Sequence, residues 1–371
     1  MGPQVPYAAT AVSVSSGIVA PAFMAEIRSR VDARMSTLLA TDLERWSAID
    51  PDLVPPLESL HRLLLAGGKR LRPVFCHWAF VGVGGDRDAP RVIDAGAALE
   101  LLHTFAVIHD DIMDASARRH GQETIHTEFA ARHERAAWRG ESRRFGEGVA
   151  ILMGDLAFVY SDMLLQGAPR EALEVFDQLR LEVNVGQYLD LLGTARGNAT
   201  PELARRICRF KSAKYTIERP LHLGVALGAP TRLAQLAPPL SAYGLPLGEA
   251  FQLRDDILGT FGDPDVTGKA VADDLREGKP TLLYALARQR ATGESAALLA
   301  SRFGAEDLSE DEVAAIQQVF QDTGARGDVE ATIEELVDES IGAASAEQLP
   351  LTDEARHALI GLARFVAGRN Y

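Results

Sequence analysis

Two aspartate clusters, Asp110-Asp111-Ile112-Met113-Asp114 and Asp255-Asp256-Ile257-Leu258-Gly259, lie far apart along the chain inside strongly apolar stretches. Carboxylates this dense repel one another and resist burial, so a cation belongs between them. Hard cations take oxygen ligands, and magnesium couples a few carboxylates to substrate phosphates. The chemistry this predicts is phosphate handling. On a helix, Asp110 and Asp114 stand one turn apart on one face, while Asp111 points about 100° away. Asp110 and Asp114 are therefore the expected direct ligands, and Asp111 an indirect partner. His103, two turns before Asp110, lines the same face. In the second cluster Gly259 stands where a third aspartate would fall, leaving Asp255 and Asp256 unless Asp263 curls back. Fewer direct ligands are expected there, with Asp255 first.

Either cluster alone reads equally as a solvated helix end; two of them in apolar contexts, with basic motifs nearby, favour metal. Glu100-Leu-Leu-His103 and Glu123-Thr-Ile-His126 also match the Glu-x-x-His spacing of di-iron bundles. That architecture needs two further inward glutamates, and the second copy follows Arg118-Arg119-His120-Gly121, which does not read as mid-helix. The basic stretch 67–72 alone would be a helix C-cap with cations favouring the dipole. Beside the carboxylates it reads as a phosphate site. Lys211 and Lys214, next to Tyr215, read equally as a solvated helix face.

The elements that must position these residues are helices. In 92–112, Ile93, Ala97, Leu101, Phe105 and Ile108 recur at helical spacing. Similar patterns run through 170–192, 202–227, 240–258, 280–289 and 353–366, with breaks at 82–85, 193–201, 228–230 and 262–264. Alternating β-branched runs are nearly absent, so sheet is not expected. The charged segment 132–147 reads as a solvated loop or short surface helix. The expected fold is all-α: a loose leader over 1–20, then one large helical bundle over 21–371 with a central cavity.

Composition bounds the partners. Across 371 residues, 47% hydrophobic and 24% charged content suits an ordinary globular protein. A net charge of -14 disfavours nucleic acid, which needs a basic footprint, whereas locally clustered Lys and Arg suit a small anion. Cys76 and Cys208 are the only cysteines, so no disulfide framework exists and a reducing compartment is expected. No signal peptide is read at the start, and no apolar run long enough to span a bilayer. The expected location is cytoplasmic.

The motifs together resemble the trans-isoprenyl (polyprenyl) diphosphate synthases, of the geranylgeranyl and farnesyl diphosphate synthase group. They run in order from Gly67-Gly68-Lys69-Arg70-Leu71-Arg72-Pro73 through Glu100-Leu-Leu-His103, His109-Asp-Asp-Ile-Met-Asp114 and Arg118-Arg119-His120-Gly121. Then follow Met153-Gly-Asp155, Gly186-Gln187-Tyr188-Leu189-Asp190, Phe210-Lys211-Ser212-Ala213, Phe251-Gln252-Leu253-Arg254-Asp255-Asp256, Thr267-Gly268-Lys269 and Gly278-Lys279-Pro280-Thr281. The resemblance implies an all-α homodimer using Mg2+, three ions per site, with Mn2+ an alternative. It implies that Gly68, Lys69, Arg72 and His103 hold isopentenyl diphosphate. Arg119, with Lys211, Lys269 and Lys279 opposite, would grip the allylic diphosphate (dimethylallyl, geranyl or farnesyl). Ser212 and Gln252 would face the reacting carbons, and Asp190 would stand beside the metals. His120 takes the second place of a usual arginine pair; it can still donate to phosphate, Arg118 can reach in, and homoallylic affinity becomes pH-sensitive.

Phe105 with Ala106, just before the first cluster, resembles enzymes that stop at twenty carbons, giving geranylgeranyl diphosphate, with farnesyl diphosphate the alternative. A class I terpene cyclase would need an Asn/Ser/Glu metal motif, and Asp255-Asp256 occupies that place. A non-catalytic partner subunit would usually lack an aspartate motif; the first is whole here.

Overall fold

The computed structural model describes residues 20–119, 121–197, 199–262, 273–305, 307–347 and 349–368. Helices account for nearly all of it: α1 (Ala22–Ser47), α2 (Val54–Leu65), α3 (Leu71–Gly82), α4 (Pro90–Met113), α5 (Ile125–Arg135), α6 (Ser142–Met163) and α7 (Arg170–Arg196). After α8 (Pro201–Ile207) the winding widens into a π-helix, Cys208–Glu218, and returns to α in α9 (Arg219–Gly228). The long α10 (Leu233–Phe261), one helical turn at Asp273–Arg276, and α11 (Leu282–Arg290), α12 (Gly293–Arg302), α13 (Glu310–Asp322), α14 (Ala325–Ser345) and α15 (Asp353–Ala367) complete the chain. One hydrophobic cluster runs through them from Met24 to Val366.

Helix α4 forms the centre because it is apolar on every side. Pro90 fits its first turn, where a missing N–H costs nothing. Along its length Val92, Leu99, Leu101, Leu102 and Ile108 are all buried. A helix hydrophobic all round belongs inside. Its 18-residue window of mean hydropathy 1.4 makes it, among the described residues, long and apolar enough to cross a bilayer, which corrects the expectation that no such run exists. It packs against α6, where Gly154 admits His109; a Cβ there would lie 2.4 Å from Nε2 of that ring.

Two glycines place the π segment. A Cβ on Gly186 of α7 would lie 2.4 Å from the Lys211 backbone nitrogen, and one on Gly248 of α10 would lie 2.4 Å from Ala213 Cα. The segment is thus clasped, backbone to backbone, between α7 and α10. The expected single helix over 202–227 is in fact three windings. Helix α10 starts before the expected 240, because Leu236, Leu240 and Tyr243, all fully buried, hold a turn that carries Pro238 and Pro239. The stretch 132–147 is the tail of α5, a turn and the head of α6.

Among the described residues, sheet is confined to a two-residue antiparallel ladder, Arg118–Arg119 with Gln122–Glu123. Glu123 is exposed there while His126 sits on α5, so the second Glu-x-x-His is split between elements and builds no helical face for iron.

Candidate active site

The two acidic clusters meet. Asp110 at the C-terminal end of α4 and Asp255 and Asp256 near the end of α10 line one cavity of about 190 Å³, together with Asp190 from α7 and Asp274 from the turn after residue 272. Arg119, Lys211 and Lys279 line the same space, as do Ser212 and Gln252. Lys211 Nζ lies 3.0 Å from Asp110 Oδ1 and 2.6 Å from Asp190 Oδ2, so it ties α4 to α7. Gln187 donates to the same Asp110 oxygen at 2.8 Å. Lys279 Nζ lies 3.3 Å from Asp114, 3.6 Å from Asp274 and 2.5 Å from Glu277.

Asp111 is turned inward, buried, and accepts from Arg119 Nε at 2.9 Å. Asp114 caps α4. Its Oδ2 is buried without a hydrogen bond among the described residues, with the Lys279 ammonium 3.3 Å away. Ser212 Oγ donates to Gln252 Oε1, and Gln252 Nε2 donates to Asp256 Oδ1 at 2.7 Å. That chain fixes which way the amide faces.

Electrostatics follow from burial. Burial pushes the Asp256 carboxyl up to about 8, with the Asp274 and Asp255 charges adding and the Gln252 hydrogen bond opposing. Burial likewise raises Asp111 to about 6 against the Arg119 charge, and Asp114 to about 6 with the Asp110 charge adding. Burial would raise Asp110 too, but Lys211, Lys279 and Arg119 outweigh it and hold it below its ordinary value. Lys211 and Lys279 stay charged despite burial because carboxylates surround them.

Among the described residues no three acidic, His or Cys side chains converge tightly enough to cage an ion unaided. The ammonium groups stand between them instead. The donor set nonetheless fits hard divalent cations: carboxylate oxygens of Asp110, Asp190, Asp255, Asp256 and Asp274 line the cavity, no imidazole lines it, and its one thiol, Cys208, is buried with its pKa raised by burial and so stays protonated.

Lys69, Arg72 and His103 lie apart from this cavity. Arg72 stacks over the Tyr215 ring at 4.3 Å, and His103 Nδ1 meets the Tyr215 hydroxyl at 3.1 Å, so these two converge on one buried tyrosine. Lys69 Nζ sits 5.5 Å from the Phe365 ring. Gly68 has φ +123°, a conformation that favours glycine, in the α2–α3 connection. Arg118 is exposed and turns back onto the Gly121 carbonyl. His120, Asp263 and Lys269 lie outside the described residues.

Asp274, Gln187 and Tyr215 carry contacts that the residue pattern left without a role. Asp274 packs beside the glycine at 259, where a Cβ would lie 2.2 Å from Asp274 Oδ2. The carboxylate missing from the second cluster is thus supplied by another segment at the same place.

The chain matches the family model described as polyprenyl synthetase over residues 55–320. The chain belongs to the polyprenyl synthetase family. It is a prenyltransferase of the all-α isoprenyl synthase fold, making trans-prenyl diphosphates. A crystal structure of geranylgeranyl pyrophosphate synthase from Corynebacterium glutamicum, complexed with isoprenyl diphosphate and magnesium, is 37% identical at a TM-score of 0.86, covering 93% of this chain and 99% of that one. A geranylfarnesyl diphosphate synthase from Aeropyrum pernix is 34% identical over 76% of this chain and 83% of its own length. An octaprenyl diphosphate synthase from Escherichia coli is 30% identical over 83% of this chain and 88% of its own. Relatives of this synthetase therefore span several product lengths.

Proposed function

We propose that this prenyltransferase condenses isopentenyl diphosphate with an allylic diphosphate, head to tail, giving geranylgeranyl diphosphate. The observation that carries the reading is the single cavity shared by Asp110, Asp255 and Asp256 and by Arg119, Lys211 and Lys279. Acids alone would suit a cation store; acids facing fixed cations suit a polyanion held through metal.

The allylic carbon–oxygen bond breaks with its electron pair going to the departing diphosphate. Lys211, Lys279 and Arg119 stabilise that group more as its charge grows, which is where rate comes from. Asp110, Asp114 and Asp255, with Asp111, Asp190 and Asp256 beside them, would hold magnesium, which when bound neutralises further diphosphate charge. Lys269 belongs to the same grip by resemblance. Ser212 and Gln252 line the cavity, where water would quench a carbocation, with their dipoles fixed by each other and by Asp256. The isopentenyl double bond attacks the allylic carbon, and the resulting cation loses a proton to the released diphosphate. Gly68, Lys69, Arg72 and His103 hold the isopentenyl diphosphate, Tyr215 fixing the last two; by resemblance His120 and Arg118 contribute to the same diphosphate grip.

Product length rests on Phe105, whose ring packs 5.0 Å from Phe158 of α6 and 4.6 Å from His109. Two rings from two helices make a firmer stop than one. The enzyme acts as one domain from residue 21 onward and as a homodimer. The support is an exposed apolar stripe of Leu152, Val159 and Met163 on α6 beside Leu181, Val185 and Tyr188 on α7. Leu152→Glu is expected to shift a sedimenting dimer to monomer; an unaltered dimer argues against that face.

The deciding experiment incubates the chain with magnesium, isopentenyl diphosphate and each allylic starter, and reads products by mass. Twenty-carbon product is expected, lengthening in Phe105→Ala. Fifteen-carbon product alone rejects the assigned length, and turnover of an allylic diphosphate without isopentenyl diphosphate rejects the reaction in favour of a cyclase.

A further inference from the structure

Helix α7 offers the π segment three residues at four-residue intervals, Glu182, Gly186 and Asp190, all buried. They share one face of the helix. Asp190 takes the Lys211 ammonium at 2.6 Å; Glu182 takes the Lys214 ammonium, also at 2.6 Å. Between them Gly186 lets the π backbone itself approach at Lys211. Two carboxylates eight positions apart on one helix thus pin two lysines three positions apart on the other, with the chains antiparallel.

Glu182 holds more than Lys214. Arg219 donates to it through Nε and Nη2, both at 2.7 Å, and Gln178 donates at 3.1 Å. It is not among the residues lining the cavity, and no step of the chemistry calls on it. A buried carboxylate with this many donors is costly to build and costly to unpair. Packing alone would be served as well by an apolar side chain.

What it can do follows from the winding it grips. A π-helix is rare and gains less than α from its own hydrogen bonds, so neighbours decide its phase. Lys211 and Ser212, both facing the cavity, sit inside this winding. Lys214 and Arg219 flank them on the C-terminal side, one in the π segment and one at the start of α9.

We propose that Glu182 is a positioning residue: by holding Lys214 and Arg219 it sets the rotation and register of the π segment, and so delivers Lys211 and Ser212 to the allylic diphosphate. The inference rests on the prenyl-transfer reading. Its test therefore has one arm that needs no turnover.

Inorganic pyrophosphate is titrated calorimetrically, in the presence of magnesium, into the full chain and its Glu182→Gln and Lys214→Gln variants. Steady-state constants for both substrates are measured alongside. Misplacement of a gripping group by about an ångström costs on the order of a hundredfold, so pyrophosphate affinity and allylic kcat/KM are expected to fall by about tenfold to a hundredfold in Glu182→Gln. KM for isopentenyl diphosphate is expected to rise by a smaller factor, since only Tyr215 and Thr216, which steady Arg72 and His103, belong to this winding, while Arg72 and His103 themselves stand on α3 and α4. Glu174→Gln, which removes an exposed charge from the same helix, should match the parent throughout. If Glu182→Gln does not fold, Lys214→Gln, which leaves the Arg219 pair intact, is expected to show the same split. Unchanged pyrophosphate affinity in folded variants, or equal losses for both substrates, overturns the positioning role. A parent chain that binds pyrophosphate yet makes no product overturns the assigned reaction instead.

Discussion

At the scale of single residues, the cavity is built from acids that burial would neutralise and cations that keep them charged. Asp274 is the informative one. Its carboxylate fills the space beside Gly259 and stands 3.6 Å from Lys279 Nζ. Removing a group that steadies metal-binding side chains typically costs 10- to 100-fold in affinity or activity, roughly. Asp274→Asn is accordingly expected to lower turnover by about that factor and to raise the magnesium needed for half-maximal rate. A magnesium titration of the variant reads this directly, and a curve superimposing on the parent's removes Asp274 from the site. The residue types of the site were legible in the sequence: Asp110, Asp255, Lys211 and Gln252 are named by spacing and resemblance, and all reach one cavity. Asp274 was not, because its partnership with position 259 exists only through space. Nothing local in a run of charged residues distinguishes one aspartate from the next.

At the scale of elements, periodicity located helices well where one face or all faces are apolar, as in α4 and α15. It failed where winding changes without a change in composition. The stretch 202–227 keeps a helical rhythm throughout, yet its middle is π-wound and squeezed between Gly186 and Gly248. Backbone contacts of this kind leave no hydrophobic signature. They do leave a mutational one. A methyl group at 248 would lie 2.4 Å from Ala213 Cα and 2.7 Å from its Cβ, with backbone rather than a flexible side chain in the way. Overpacking costs about 1–3 kcal/mol, so Gly248→Ala should lower the unfolding free energy read from urea titration by that much, and the displaced segment should slow prenyl transfer. A variant as stable and as fast as the parent would mean that α10 and the π segment separate freely.

At the scale of the whole molecule, two interior histidines tie stability to acidity. His77 is held down to about 4 by burial, with Arg30 and Arg87 adding. His222 is also held down to about 4 by burial, against the Glu218 charge, and its Nδ1 accepts from Arg219 at 3.0 Å. Both are neutral in the fold and would take a proton in the unfolded chain near pH 6.5. Their contribution is therefore complete above about pH 6.5 and is lost as the pH falls toward 4, on the order of 3 kcal/mol each at the limit. Glu182, lowered to about 2 despite burial by Arg219, Lys214 and Gln178, keeps its contribution until far more acid conditions. The raised carboxyls of Asp256, Asp111 and Asp114 pull the other way over the same window, so the histidine share is read by difference: His222→Gln should change the gap between urea midpoints at about pH 7.5 and about pH 5, and an unchanged gap would show that this ring is not shielded.

Lys211 and Lys279 each have two employers. Their ammonium groups satisfy Asp110, Asp190, Asp114 and Glu277; during turnover they are wanted by phosphate oxygens. Handing a lysine over to phosphate strips a carboxylate of its counter-charge, and that carboxylate then becomes attractive to a divalent ion. Either guest alone leaves half of the exchange undone. Each should consequently tighten the other, by the same factor in both directions.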